Sequence, residues 1–366
     1  MKILFNILAN ILQVKIEDMR MGGGNPAYEK QYAFYLMKDE AVKEKIWYSE
    51  AKECKFELKE YGQYYVTIFE RNGGDTSIQK TPAIYYYGRS QYCNFFKIEE
   101  MEMTNNCNLN CHNCGTPTTG YKKGFIDDST VMATLSWTRK GQTLNYHRVG
   151  EPLLHPKLCT YIQWGVDAGV KPVISTNGVL LTEEMLIRLY NAGLRHLVIT
   201  LHTKKSLDSF LMCCKWFVNN NIEVVNFSKR HLKEYDENGN MMFFQGKVLA
   251  FSQEEEQGKY VRNNLDSIPS EFRELLQMTP VHTWAGNVEG TKRNLSIDDV
   301  INHQKNCYFI KQHVINVRWD GTIVGCCFDF ENENELGNIR EYASLNNSLD
   351  KYRLCKQCDA NWAIKE

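Results

Sequence analysis

An α/β fold built on a parallel sheet is the class this sequence predicts, and three observations carry it. From about residue 96, strand-like runs alternate with helix-like runs. The stretches richest in chemistry each follow a strand, where a βα barrel gathers its functional loops. The flanks break the alternation: residues 1–95 read as an N-terminal α+β extension and residues 296–366 as a small cysteine-rich domain, around a 96–295 core. Alternation of this kind implies parallel strands joined by right-handed crossovers.

Taken in order, the first element is Met1-Lys-Ile-Leu-Phe-Asn-Ile-Leu-Ala-Asn-Ile-Leu-Gln-Val14. Lys2, Asn6, Asn10, Gln13 and Glu17 recur at helical spacing, which predicts a buried or interface-lying helix with a narrow polar stripe. No small-residue cleavage site follows, so a signal peptide is not indicated. Met21-Gly-Gly-Gly-Asn-Pro26 is a breaker, and the β-prone runs Tyr64–Phe69 and Ala83–Tyr87 flank the turn-former Asn72-Gly-Gly-Asp75. This aromatic-rich segment is either a cover for the barrel or a substrate-recognition module; packing is the commoner use of such strands.

Lys97 to Met103 alternates and leads into Met103-Thr-Asn-Asn-Cys-Asn-Leu-Asn-Cys-His-Asn-Cys-Gly115. Thiolates are soft ligands suited to iron–sulfur clusters or zinc. A closed site takes four protein ligands, and only Cys107, Cys111 and Cys114 are local. Three thiolates on a four-iron cubane leave one iron open for a substrate or cofactor. The alternative is a zinc knuckle with His112 or a distant residue as fourth ligand, although His112 adjoins Cys111 and turns back poorly onto the same metal.

Thr143–Val149 then leads into Gly150-Glu151-Pro152, and Pro172–Ser175 into Thr176-Asn177-Gly178. A helix from about Thr182 has a Thr N-cap, an apolar stripe at Met185, Leu186, Leu189 and Tyr190, and Gly193 as its stop. A second, near Ser206–Asn219, places Leu207, Phe210, Leu211, Cys214, Phe217 and Val218 on one face, and Ile222–Phe227 is a further strand. Near the C-terminus, Asp320-Gly321 is a hairpin turn that delivers Cys326. With Cys307 and the Cys355-x2-Cys358 loop it makes four thiolates, enough for structural zinc or a closed cluster. Cys54, Cys93, Cys159, Cys213, Cys214 and Cys327 read as packing thiols.

The bulk numbers narrow the class. At 366 residues with net charge −1, nothing drives binding to nucleic acid or an anionic membrane. No apolar run approaches the roughly 20 residues that cross a bilayer. Thirteen cysteines in metal-like clusters fit a reducing, cytoplasmic setting rather than a secreted disulfide framework.

Cys107-x3-Cys111-x2-Cys114 after a short strand resembles the signature of the radical S-adenosylmethionine (SAM) enzymes. Three further stretches fall in that superfamily's order: Arg148-Val-Gly-Glu-Pro-Leu-Leu-His-Pro156, Ile174-Ser-Thr-Asn-Gly-Val-Leu-Leu181 and His196-Leu-Val-Ile-Thr-Leu-His202. The similarity covers roughly residues 96–290. Val149 replaces the first of two usual glycines, and Asn113 an aromatic residue. The resemblance implies a partial (β/α)6 barrel with a SAM-binding [4Fe-4S] cluster on the three cysteines. Gly150 and Glu151 would hold the SAM amino group, Ser175 and Asn177 the ribose, and His147 and His202 would line the site. A buried, satisfied histidine is the ordinary alternative for each.

The tail resembles the twitch subdomain, a shortened SPASM extension carrying one auxiliary [4Fe-4S] cluster. That implies ligation by Cys307, Cys326, Cys355 and Cys358, with Cys326 preferred to Cys327 through the Gly321-x4-Cys326 element. The activity implied is reductive cleavage of SAM to a 5′-deoxyadenosyl radical, abstraction of hydrogen from an unactivated carbon, and oxidation of the substrate with the auxiliary cluster's help. Substrate classes consistent with the tail are a peptide, favoured by the extra N-terminal segment, or a sugar or aminocyclitol. An external one-electron reductant such as flavodoxin or ferredoxin would feed the reaction. Asp329 is the candidate base, against the plain alternative of an exposed hairpin carboxylate. The competing class is a non-enzymatic iron–sulfur or zinc protein, which has no use for Glu151 or the Thr-Asn-Gly loop.

Overall fold

The computed structural model describes residues 2–8, 11–17, 30–60, 62–86, 96–111, 114, 122–232, 240–250, 259–280, 295–330, 335–340, 354, 355 and 358. The breaker at 21–26, Cys93, His112 and Asn113 lie outside them. The chain divides into two compact units, Met1–Ser90 and Gln91–Glu366.

The first unit, expected to be α+β, is all β among its described residues. Its strands are β1 (Lys2–Leu8), β2 (Ile11–Glu17), β3 (Gln31–Lys38), β4 (Ala41–Ser49), β5 (Glu53–Glu57), β6 (Gly62–Asn72), β7 (Asp75–Lys80) and β8 (Ile84–Tyr86). The expected N-terminal helix is instead the antiparallel pair β1–β2, in register from Lys2↔Glu17 to Leu8↔Ile11. The reason lies in a second periodicity of the same run. Leu12, Val14 and Ile16 alternate at period two and are all buried, and β-branched residues at 3, 7, 11, 14 and 16 favour strands. Sheet β1-β2-β5 and sheet β4-β3-β6-β7, with β8 also on β6, share one core that includes Val14, Phe34, Phe56 and Val66. The Asn72–Asp75 turn joins β6 to β7, with Gly73 at φ 62° as a two-residue hairpin requires.

In the second unit, β9 (Lys97–Met101), α1 (Asp128–Ser136), β10 (Thr143–Asn145), α2 (Leu158–Asp167), β11 (Lys171–Thr176), α3 (Glu183–Asn191), β12 (His196–Leu201), α4 (Lys204–Asn219) and β13 (Glu223–Asn226) alternate. There follow β14 (Met241–Ala250), α5 (Lys259–Asn263), α6 (Ser270–Arg273), β15 (Leu276–Pro280), α7 (Ile297–Asn306), α8 (Tyr308–Lys311), β16 (Val314–Val317), β17 (Thr322–Val324) and β18 (Glu335–Asn338). One sheet runs β13-β14-β12-β11-β10-β9-β16-β17-β18, with β15 also on β14. The strands from β9 to β15 pair in parallel. β14 lies between β12 and β13, so β13 is displaced from sequence order. The C-terminal hairpin continues the sheet: β16 runs parallel to β9 and antiparallel to β17.

Thr182 caps α3 by accepting from Met185 N, and Gly193 follows at φ 94°. Thr203 and Ser206 form a capping box on α4. The buried face of α4 holds Leu207, Phe210, Cys213, Cys214 and Phe217, while Val218, expected on it, is 60% exposed. Helical geometry puts Cys213 and Phe217 on one side and turns Val218 past the edge. Among the described residues no helix is long and apolar enough to cross a membrane.

One core residue makes stability pH-dependent. His196 stacks on Phe243 at 4.7 Å, and burial pushes its pKa down to about 3. Below about 6.5 the unfolded chain takes up a proton that the folded chain refuses, so stability falls as pH drops toward 3. Urea unfolding of His196→Phe is expected to lose about 1–2 kcal/mol of the drop between pH 7 and 5. An unaltered pH slope would count against it.

Candidate active site at the ends of β9, β10 and β11

The cysteine loop leaves β9 and is pinned at both ends. Thr104 Oγ1 donates to the Gly124 carbonyl at 2.5 Å, Asn105 Nδ2 to the Lys122 carbonyl at 3.0 Å, and Gly124 N to Asn105 Oδ1 at 2.9 Å. The loop after β10 is fastened to that base: Glu151 N donates to the Asn106 carbonyl at 2.8 Å. Gly150 is needed there, because a Cβ would lie 2.0 Å from the Thr104 carbonyl oxygen and 2.7 Å from that of Asn106.

Glu151 then ties in the loop after β11. Its Oε1 accepts from Leu153 N at 3.0 Å and Thr176 Oγ1 at 2.7 Å, and its Oε2 from Asn177 N at 2.8 Å. The carboxyl is 2% exposed, and burial raises its pKa. A carboxylate oxygen accepts two hydrogen bonds, so Oε1 is saturated and Oε2 keeps one lone pair. Asn177 closes the triangle by donating to Asn108 Oδ1 at 2.8 Å and to Cys107 Sγ at 3.8 Å. Cys107 Sγ also accepts from Leu109 N at 3.4 Å, and Cys114 N donates to the Cys111 carbonyl at 3.1 Å. Burial raises the Cys107 pKa, with the Glu151 and Cys114 charges adding to it.

His147, just after β10, is tied to β11. Its Nδ1 accepts from Ser175 N at 3.0 Å, and burial first, then Lys247, holds its pKa down at about 3. It is a neutral ring with the proton on Nε2. His202, at the end of β12, is likewise held down at about 4 by burial, while its backbone N donates to Ser206 Oγ at 2.9 Å.

The second cysteine set also converges. Cys307, Cys327 and Leu354 share a buried cluster with Cys326 and Cys358 packed against it. Cys355 is raised to about 12 by burial and then by the charges of Cys326, Cys358 and Cys307. The Cys327 thiol donates to Cys326, which lowers Cys326 and raises Cys327. Cys327 otherwise faces Glu100 and Arg148. Among the described residues no three His, Cys, Asp or Glu side chains converge tightly enough to hold a single metal ion.

Sequence reasoning placed Asp329 on an exposed hairpin as its plain alternative; the residue is fully buried. Its carbonyl, with that of Cys327, accepts from Arg148. Arg148 Nε lies 3.7 Å from Glu100 Oε2, and its guanidinium lies over Phe330 at 5.3 Å. Burial, only partly offset by Arg148, pushes Glu100 up to about 8, so it carries a proton at neutral pH. Beside it, buried Glu102 accepts from Trp319 N at 3.3 Å, and Arg318 Nε lies 3.9 Å away. Sequence reading assigned no role to Glu100, Glu102, Arg148, Arg318 or Lys247. A signal existed in the run Glu99-Glu100-Met101-Glu102, three acids on a strand entering a sheet core.

No protein-family model matches the chain. Over 110 residues it is 34% identical to an AdoMet-dependent heme synthase of Methanosarcina barkeri, covering 27% of this chain and 29% of that protein. Over 113 residues it is 30% identical to the S-adenosyl-L-methionine-dependent 2-deoxy-scyllo-inosamine dehydrogenase of Niallia circulans, covering 29% of this chain and 45% of the relative. Among solved structures, Streptococcus suis SuiB bound to precursor peptide SuiA has 12% identity and a TM-score of 0.43, over 71% of this chain and 66% of that one. The matches span less than half the length of these curated relatives. Their names point to the radical SAM enzymes, the superfamily whose motifs this chain resembles.

Proposed function

We propose that this chain is a radical SAM oxidoreductase that modifies a peptide, with a partial barrel as its core. The observation that carries the reading is the three-way fastening of the Cys107, Gly150-Glu151 and Asn177 loops, which holds Cys107 and the backbone beside it in one geometry. Cys107, Cys111 and Cys114 would hold a [4Fe-4S] cluster, and Cys307, Cys326, Cys355 and Cys358 a second one in a twitch-like tail. When bound, the first cluster and SAM supply hydrogen abstraction from an unactivated carbon, with 5′-deoxyadenosine as product.

The chain's own residues orient and insulate. Glu151 fixes the loop and offers its remaining Oε2 lone pair to the SAM ammonium. Ser175 and Asn177 are the proposed ribose contacts, neutral His147 and His202 line the site, and Asp329 is the proposed proton acceptor. An external one-electron reductant of the flavodoxin or ferredoxin kind and a reducing, cytoplasmic setting complete the reading. Cys111→Ala, reconstituted anaerobically with iron and sulfide, is expected to lose essentially all 5′-deoxyadenosine release while wild type retains it. Release from the variant, or none from fully loaded wild type, would overturn the assignment.

The all-β N-terminal unit, with a core of its own, supports a peptide substrate. Oxidation of a sugar or aminocyclitol is the second reading, favoured by the stretch shared with the inosamine dehydrogenase. Incubating the loaded enzyme with each substrate class and following mass loss separates the two.

A further inference from the structure

In the N-terminal unit, the face of sheet β4-β3-β6-β7 turned away from the core is unusual. Each strand contributes one apolar side chain to a stripe: Trp47 from β4, Tyr35 from β3, Phe69 from β6 and Ile78 from β7. Trp47 is 65% exposed and Ile78 is 60% exposed. Tyr35 lies 4.7 Å from Phe69 and 6.0 Å from Trp47, ring centre to ring centre. Because Trp47, Tyr35 and Phe69 are in ring contact and Phe69 pairs with Ile78, the stripe is contiguous, and a contiguous exposed apolar patch marks a contact surface.

Among the described residues the charges of these strands on this face are all of one sign. Lys45 pairs across the ladder with Tyr35, Lys80 with Thr67, and Arg71 with Gln31 and Thr76. The cross-strand rows containing these cations, and those containing Phe69 and Met37, include no aspartate or glutamate. The acids of these strands sit in the other rows: Glu44 opposite Leu36, Glu70 opposite Tyr32, and Asp75 opposite Asn72. None of the three cations has a carboxylate partner among the described residues. Each lies instead on a ring: Lys45 at 5.0 Å from the Tyr35 centroid, Arg71 at 3.9 Å from Tyr48, and Lys80 at 5.3 Å from Tyr65.

We propose that this face is a docking site for an acidic, extended peptide segment. Charge complementarity selects the acid. The cations already cover ring faces, which disfavours stacking of bases or sugars on Tyr35, Tyr48 and Tyr65. Three strand spacings of about 4.8 Å make the stripe about 14 Å long, room for about four extended residues. A chain alternating acidic and apolar side chains places charge on the flanking cations and apolar groups on the Trp47–Ile78 stripe. In the peptide-modifying reading, on which this identity rests, the segment is the recognition part of the substrate.

The test is fluorescence anisotropy of the full chain with a fluorescein-labelled peptide of alternating glutamate and leucine. The matching lysine–leucine peptide and an oligothymidylate serve as competitors. Binding is expected to weaken about tenfold or more in Trp47→Ala and in Lys45→Glu/Lys80→Glu, and to weaken with added salt. These side chains are exposed, and unchanged circular dichroism confirms the fold. Equal binding of acidic and basic peptides, variants indistinguishable from wild type, or displacement by oligothymidylate would each overturn the proposal. 5′-Deoxyadenosine release, measured on the same preparation, reports the radical SAM reading separately.

Discussion

Gly150→Ala is expected to cut 5′-deoxyadenosine release about 100-fold or more and to destabilise the chain by about 2–3 kcal/mol. The added methyl has no way out, because the atoms it meets at 2.0 Å and 2.7 Å are backbone carbonyl oxygens of Thr104 and Asn106. Relief requires the Gly150-Glu151 loop to lift off the cysteine loop, which breaks the 2.8 Å hydrogen bond from Glu151 N to the Asn106 carbonyl. Glu151 then carries Asn177 and Thr176 with it, since both donate to its carboxylate. A displacement of about 1 Å at a site built on placement costs about 100-fold. Product analysis of anaerobically reconstituted protein, with urea unfolding in parallel, measures both quantities. Near-wild-type release would mean that the loops are not coupled as described.

That coupling explains what the sequence could and could not disclose. The cysteine loop, Gly150-Glu151 and Thr176-Asn177-Gly178 were legible because loop chemistry after a strand leaves local patterns. The same holds for Thr182 and Gly193 around α3, where capping and stop signals are local. The N-terminal strands were misread because residues 1–17 satisfy two periodicities, and the choice is made by a partner sheet far along the chain. The burial of Asp329 and the role of Arg148 escaped the sequence for the same kind of reason. The turn carrying Asp329 meets Arg148, 181 positions earlier in sequence. Nothing within a local window says that residue 148 will meet the carbonyls of residues 327 and 329.

Arg148 also gives the second large effect. Arg148→Ala is expected to empty the C-terminal cysteine set while sparing the first, leaving roughly half the iron of a two-cluster protein. The guanidinium is 1% exposed and holds the Cys327 and Asp329 carbonyls, so it shapes the turn that presents Cys326. It also places a positive charge beside Cys326, which favours the thiolate a cluster needs. Removing it leaves two buried carbonyls short of a donor, at about 1–3 kcal/mol each. Arg148→Lys restores the charge but loses the planar guanidinium that lies over Phe330 while its Nη2 donates to both carbonyls, so it should recover part of the iron. Because Arg148 stands two positions before Gly150, the loop fastened to the base of the Cys107 loop also holds the turn bearing Cys326. Iron determination and Mössbauer spectra of the three proteins decide it: full iron in Arg148→Ala would show that the turn holds its shape without the arginine.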